Sequence, residues 1–349
     1  MLDLLQKLRI RHPIIQAPMA GGPGTPALAA AVSNAGGLGS LAGGYSTPAD
    51  IEREFVSARS LTTVPLNINL FAGGFHDAID RDPAPILGLL QPIHDELQLP
   101  PPVVPSPAAD PFAQQIETVL RLRPEVFSFT FGIPSADVLR ELRAAGIVIL
   151  GTATTLAEGE MLAAAGVDGI VAQGAEAGAH RGTFAGSFEE SMVPTLELVR
   201  QIPRAVPAPV IASGGIMTGT EIVAALKAGA AAVQLGTAFL ACPEAGTSAA
   251  YRAGIAGKSG ADTVITRAYS GRAARGVRNA FIDLVQERED FILPFPFQNS
   301  LTRPMRTAAS KAMKPQYLSL WAGTGVERMR AMPAAELVAT LVREMDDAL

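Results

Sequence analysis

Three times along this chain an amphipathic helical segment ends in Ala-Gly and a β-branched, apolar run follows at once. The joints are 139–146 before Ile147-Val148-Ile149-Leu150, 160–166 before 167–171, and 221–229 before 230–235. Each glycine stands where a helix C-terminus takes a left-handed residue. Each following run has the near-continuous apolarity of a strand buried on both faces. That grammar describes sequential parallel βα units. Read from the N-terminus, strands are expected at 13–16, 37–41, 64–70, 126–129, 148–152, 169–173, 210–212 and 232–235. Eight is the number that closes a (β/α)8 TIM barrel. An open doubly wound sheet would carry G-x-G-x-x-G after its first strand, where Ala20-Gly21-Gly22-Pro23-Gly24 stands instead.

Two regions break the rhythm. Residues 71–111 are crowded with proline, including Pro100-Pro101-Pro102, and a connection of that length is expected to cover the barrel mouth. From 243 to 325 the βα pattern stops. We therefore read 1–242 as the barrel, 243–325 as a smaller second α/β domain over its mouth, and 326–349 as a helix returning to the barrel; 349 residues suffice for this plan.

Apolar residues make up 48% of the chain and aromatics only 5%, which suits helices packed closely on a parallel sheet better than an aromatic-rich sandwich. A net charge of −5 without a long Lys/Arg cluster excludes the electrostatic footprint of a nucleic-acid binder. The N-terminus lacks a basic start with a long apolar core. The longest apolar stretch, 228–242, is interrupted by Gln234 and too short to span a bilayer. A soluble, cytoplasmic protein is expected. Cys242, the single cysteine, sits in that apolar stretch and is read as an inert buried thiol.

Active sites of such barrels form at the C-terminal ends of the strands. Ser213-Gly214-Gly215-Ile216 follows the seventh expected strand and Gly236-Thr237 the eighth. Taken singly these glycines suit a tight turn. Paired after strands seven and eight, they suit a phosphate cradle in which backbone N–H groups approach an anion. Asn67 and Asn69 alternate onto one side of the third strand; Asn69, at its end, is a candidate contact for a cofactor ring or phosphate tail, and Asn67 for a core hydrogen bond. The sixth strand runs into Gln173-Gly174-Ala175-Glu176-Ala177-Gly178-Ala179-His180-Arg181-Gly182, which brings an amide, a carboxylate, an imidazole and a guanidinium to the mouth. Of the four histidines, His12 and His94 are read as structural or exposed, and His76 in the proline-rich excursion has no assigned role. His180 is the candidate general base, since an imidazole titrates near neutrality. No metal-ligand set is assigned.

At these residues the chain resembles the nitronate monooxygenases, formerly called 2-nitropropane dioxygenases, over nearly its whole length. The resemblance is carried by Pro13-Ile14-Ile15-Gln16-Ala17-Pro18-Met19, Ser33-Asn34-Ala35-Gly36-Gly37-Leu38-Gly39, Asn69-Leu70-Phe71 and the segment 173–184. It continues through Ser213-Gly214-Gly215-Ile216, Gln234-Leu235-Gly236-Thr237 and Ser270-Gly271-Arg272-Ala273-Ala274-Arg275. It implies non-covalent FMN and oxidation of alkyl nitronates, with nitroalkanes as further candidates, by O2 to a carbonyl compound and nitrite. It implies that Ala17, Pro18, Met19, Asn69, Gln173, Gly178, Ser213, Gly214, Gly215, Gln234, Leu235, Gly236 and Thr237 meet FMN and that His180 is the catalytic base. The chain departs from the family at Ala179, where Gly is usual. The added methyl is expected to restrict the loop or shift His180, with more effect on turnover and substrate preference than on cofactor binding. Arg272 and Arg275 are read either as a salt-bridged domain contact or as attractors of anionic substrate. A homodimer is left open.

Two other readings stand beside this one. An FMN-dependent NAD(P)H reductase resembling the enoyl-acyl-carrier-protein or quinone reductases shares the barrel and a glycine-rich loop with His. A flavin-binding or phosphate-binding protein without turnover would share the cradle alone. A barrel resembling inosine-monophosphate dehydrogenase needs a nucleophilic Cys after the sixth strand, and none stands there.

Overall fold

The computed structural model describes residues 3–75, 78–106 and 110–349. Its strands are β1 (Ile14–Gln16), β2 (Gly39–Ala42), β3 (Leu66–Phe71), β4 (Val126–Thr130), β5 (Val148–Ala153), β6 (Gly169–Gln173), β7 (Ala179–His180), β8 (Val210–Ser213), β9 (Ala232–Leu235), β10 (Thr263–Thr266) and β11 (Ala274–Val277). Its α-helices are α1 (Leu4–Leu8), α2 (Pro26–Asn34), α3 (Pro48–Leu61), α4 (Ala84–Glu96), α5 (Phe112–Leu122), α6 (Ala136–Ala144), α7 (Leu156–Ala164), α8 (Thr195–Ala205), α9 (Gly219–Ala228), α10 (Ala249–Ile255), α11 (Ala280–Gln286), α12 (Phe297–Lys311) and α13 (Ala334–Ala348).

Eight strands form one parallel sheet in the order β1-β9-β8-β6-β5-β4-β3-β2, and a parallel bridge between Ile15 and Leu38 brings its two ends together. The expected TIM barrel is therefore present, each strand within two residues of its expected limits. The local causes are those read from the sequence. Gly146, Gly166 and Gly229 have φ of 76°, 75° and 119°, so each helix stops in a left-handed residue before its strand. Thr218 begins α9 with a reciprocal capping box to Glu221. All six residues of β3 are buried, as a strand between the barrel interior and its helices requires. The inner face of α8 buries Leu198, Val199 and Ile202, each stabilising by about 1.5–3 kcal/mol relative to exposure.

Leu4 and Leu8 of α1 pack with Ile15, Val126, Leu150, Val171 and Ile211. This plug closes the N-terminal end of the barrel and leaves the C-terminal end for chemistry. Helix α13 packs on α9 and α2, and its Glu344 accepts a hydrogen bond from Gly219 N at the start of α9 (2.8 Å). Among the described residues no helix is long and apolar enough to cross a membrane.

The remaining elements gather beside the barrel mouth. Strands β10, β11 and β7 form a small antiparallel sheet, in which β7 comes from the loop after β6. The proline-rich excursion does not have the form of a cover. Its helix α4 places Ile86, Leu90 and Ile93 in a core with Tyr269, Phe281, Ile282, Leu301 and Met305. The core around 243–325 thus draws on a segment some two hundred positions earlier. Beyond Phe71, no described residue of the excursion lines the cavity at the mouth, and α12 does so instead. His76 lies outside the described residues.

Candidate active site

The C-terminal ends of the barrel strands open into a cavity of about 760 Å³, a size that accommodates a cofactor with a small substrate. His180 and every residue assigned to the cofactor line it: Ala17, Pro18, Met19, Asn69, Gln173, Gly178, Ser213, Gly214, Gly215, Gln234, Leu235, Gly236 and Thr237. His12 and His94 do not. His94, in α4 of the excursion, is buried with Nδ1 2.6 Å from the Pro100 carbonyl. Cys242 is fully buried and its thiol is pushed up to about 12 by that burial, so it is no nucleophile at neutral pH.

The loop bearing His180 is held from several sides. Arg181, 1% exposed, donates to the carbonyls of Gly174 (2.6 Å), Gln173 (2.9 Å) and Ser191 (2.7 Å). The Gln173 amide donates to the His180 carbonyl (2.9 Å) and accepts from Gly182 N (2.8 Å). Both polar ends of Gln173 are thus engaged in the loop, leaving one amide hydrogen for a ligand. Strand β7 pairs His180 with Ala274 and Ala179 with Arg275. Ala179 adopts φ 63°, a left-handed conformation that costs an L-residue about 1–2 kcal/mol, so the family's usual Gly would sit there without strain.

His180 Nε2 lies 2.8 Å from Ser270 Oγ, and its ring is edged by Phe131, Phe295 and Trp321. Its pKa is pushed down to about 3, first by burial and then by the charges of Arg272 and Arg306. The imidazole is therefore neutral at physiological pH, with a lone pair open to a proton, and its surroundings disfavour the charged form until an anion lies beside it. Arg272 stacks its guanidinium 3.8 Å over Phe131 and donates to the carbonyls of Arg181 (3.3 Å) and Thr183. Arg275 donates to the Ala175 carbonyl and to Thr263 Oγ1, both at 3.0 Å. The expected domain contact is present, though its partners are carbonyls and a hydroxyl rather than carboxylates. Among the described residues neither arginine pairs with a carboxylate, and neither lies on the cavity wall. They fasten the second sheet to the loop after β6 through its carbonyls.

Part of the cavity wall is glycine backbone that can approach an anion closely. Gly215 turns at φ 72° and Gly236 faces open space, a Cβ there meeting only Ala17 at 3.5 Å and Met19 at 4.0 Å. A third arm escaped the sequence reading: Gly323 and Gly325 line the cavity, and Gly323 N donates to Thr237 Oγ1 (2.9 Å). That arm also explains Gly178, where a Cβ would lie 2.5 Å from Gly323 N. Asn69 and Asn67 both donate to Ser128 Oγ at 2.9 Å, which places the two amides on one side of β3. Gln234 contributes a further amide to the wall. Glycine backbone and amide side chains on one cavity wall fit a cofactor that carries a phosphate and a polar ring.

A cationic wall was not anticipated. Helix α12 brings Arg303, Arg306 and Lys311 to the cavity, against one lining carboxylate, Glu54, among the described residues. Arg306 donates to the Asn299 carbonyl and Oδ1, both at 2.8 Å, but its buried Nε has no partner among the described residues. The buried hydroxyl of Tyr45 is likewise unpartnered, and burial pushes it up to about 12. Buried donors without partners are costly, and here they line a cavity. The i, i+3 spacing of Arg303 and Arg306 was readable as one helix face; nothing local said where that face would dock.

The family model for nitronate monooxygenase matches residues 3–344. A nitronate monooxygenase from Pseudomonas aeruginosa is 43% identical over 345 residues, covering 97% of each chain. A probable nitronate monooxygenase from Staphylococcus aureus is 38% identical over 344 residues, covering 98% of this chain and 97% of its own. Among solved structures, the nitroalkane oxidase from Streptomyces ansochromogenes matches with a TM-score of 0.89 at 38% identity, covering 97% of both chains.

Proposed function

This chain belongs to the nitronate monooxygenase family, and we propose that it oxidises alkyl nitronates, and nitroalkanes once deprotonated, with FMN as cofactor and O2 as oxidant, giving a carbonyl compound and nitrite. The observation that carries this reading is a meeting of opposites in one cavity. A neutral imidazole able to take a proton faces a space walled by Arg306, Arg303 and the Tyr45 hydroxyl, which suit the anion left behind.

Ser213, Gly214, Gly215, Gly236 and Thr237, joined by Gly323, would hold the FMN phosphate, while Asn69, Gln173 and Gln234 would reach its ring system beside Ala17, Pro18, Met19, Gly178 and Leu235. When bound, FMN supplies the electron acceptor that the oxidation requires. His180 takes the α-proton of a neutral nitroalkane. Charge developing on the nitro oxygens is stabilised by donors already fixed in place, which costs no reorganisation during the step. Burial is the larger cause of the low His180 pKa, and the anion offsets the remainder, the repulsion from Arg272 and Arg306, so proton transfer and charge stabilisation favour one another. A pre-formed nitronate needs only the second.

Flavin released by heating the purified protein is expected to be FMN, and anaerobic addition of an alkyl nitronate is expected to bleach its visible absorbance. Recovery of FAD, or of no flavin even after reconstitution, would overturn the cofactor assignment. Bleaching by NADH or NADPH but not by nitronate would overturn the substrate and install the reductase reading.

A further inference from the structure

We propose that Ser270 fixes the tautomer of His180, so that Nε2 carries the proton and Nδ1 is the atom that accepts one from substrate; this rests on His180 being the base of the proposed reaction. The inference follows from counting protons at one oxygen. Ser270 Oγ lies 2.8 Å from His180 Nε2, 3.0 Å from the Arg272 carbonyl and 3.3 Å from Arg272 N. A carbonyl only accepts, so the single hydroxyl proton of Ser270 goes to Arg272 O. A backbone N–H only donates, so Arg272 N occupies one lone pair of Oγ. The remaining partner, Nε2, must donate its proton to the other lone pair. The reverse arrangement would turn the serine proton to Nε2 and leave the part-buried Arg272 carbonyl without this donor, which disfavours it by about two- to tenfold.

The serine is placed to impose this choice. It is 1% exposed and sits in a turn whose Gly271, at φ 82°, packs so tightly that a Cβ there would lie 2.3 Å from the Leu293 carbonyl. Thr302 of α12 fastens the preceding residue by donating to the Tyr269 carbonyl (2.6 Å). The ladder between β7 and β11 then ties the backbone of His180 to the strand that follows the turn. Ring and serine are thus positioned by one rigid unit reaching across from the second sheet. Nδ1 has no hydrogen-bond partner among the described residues, and His180 lines the cavity, so the unprotonated nitrogen is the one left for substrate. Ser270 is a positioning residue: it touches neither substrate nor cofactor in this scheme.

The test uses FMN-loaded protein labelled with 15N-histidine, in which only four imidazoles contribute and His180 is identified by its disappearance in His180→Asn. Wild-type His180 should show the Nε2–H tautomer, and Ser270→Ala should lose it in favour of a mixture or of Nδ1–H. In parallel, Ser270→Ala should lower kcat/KM for nitroethane by about 10–100-fold, the usual effect of removing the partner that orients a functional histidine, and leave nitronate turnover within about twofold. Ser270→Thr, which keeps the hydroxyl, should restore both the tautomer and the nitroethane rate. An Nδ1–H tautomer in the wild type, an unchanged tautomer in Ser270→Ala, or equal losses on nitroethane and nitronate would each overturn the proposal. If the wild type turned over neither substrate, the proposed function would fail while the 15N spectra alone still decided which nitrogen Ser270 protonates.

Discussion

Replacing Arg181 by Met should destabilise the protein by about 2 kcal/mol. Met keeps the apolar stem of Arg but removes the guanidinium that satisfies the carbonyls of Gly174, Gln173 and Ser191. The Gly174 carbonyl keeps the Ala177 N–H (3.1 Å), but those of Gln173 and Ser191 lose their side-chain partner, which at about 1–3 kcal/mol each costs roughly 2–6 kcal/mol if both stay sealed. Against this, the variant no longer buries a charge, a penalty of several kcal/mol per ion. Burial already pulls the Arg181 pKa down to about 10, with Arg275 adding to it. The two terms leave a net loss near the lower end of the range. Arg181→Lys should cost about half as much, because a single ammonium cannot bridge Gln173–Gly174 and Ser191 as the planar fork does. Urea denaturation compares the midpoints, and flavin retention reports on the same loop, since it also carries Gln173 and Gly178. A midpoint for Arg181→Met equivalent to less than about 0.5 kcal/mol of change would mean that desolvation cancels the three bonds, and the account of this loop as stapled by Arg181 would fail.

Other expectations follow from the same geometry. Gly236→Val should abolish retention of FMN with an almost unchanged urea midpoint, because its Cβ has room and its added methyls enter the cradle; Gly215→Val should lose both, its φ of 72° adding about 1–3 kcal/mol of strain. Normal FMN content in Gly236→Val would remove this turn from the phosphate site. In ligand-free protein the His180 pKa is held down to about 3 against 6.5 in the unfolded chain, so below pH 6.5 the unfolded state binds the proton first and stability falls as pH drops toward 3. His180→Asn should flatten that part of the stability curve, and an unchanged slope would show that the histidine is not buried neutral. Arg306→Met should lower kcat/KM for nitronates by about 10–100-fold, the equivalent of a 1.5–3 kcal/mol hydrogen bond to a charged group; no change would detach Arg306 from substrate binding.

The barrel was legible because its signals are local. A glycine that ends a helix and a run that suits a doubly buried strand sit within a few residues of one another, and eight such strands leave little choice of topology. The glycine turns that line the cavity were legible for the same reason, since Gly214, Gly215 and Gly236 follow their strands directly. What the sequence hid depends on pairing over long distances. Two-residue β7 is a strand only because β11, ninety-odd positions later, lies beside it. Gly323 joins the cradle only because the chain returns to the barrel after α12. Among the described residues the excursion packs into the second core rather than lining the cavity, because a helical stripe, Ile86, Leu90 and Ile93, needs an apolar partner. Arg272 and Arg275 were rightly suspected of a contact, but sequence cannot tell a carboxylate partner from a carbonyl.

The central claim is that His180 works as a proton acceptor in a cavity that otherwise holds an anion, and the most direct measurement is steady-state oxidation of a nitroalkane and of its own pre-formed nitronate by His180→Asn and wild type at matched FMN content. The nitroalkane must lose its α-proton on the enzyme, so its kcat/KM should fall by about 10²–10⁴-fold, as expected when a positioned general base is removed. The nitronate has already lost that proton, and its rate should fall much less. Equal losses on the two substrates would contradict the claim, showing that the imidazole holds charge or geometry rather than taking the proton, and no loss on either would remove His180 from the chemistry altogether.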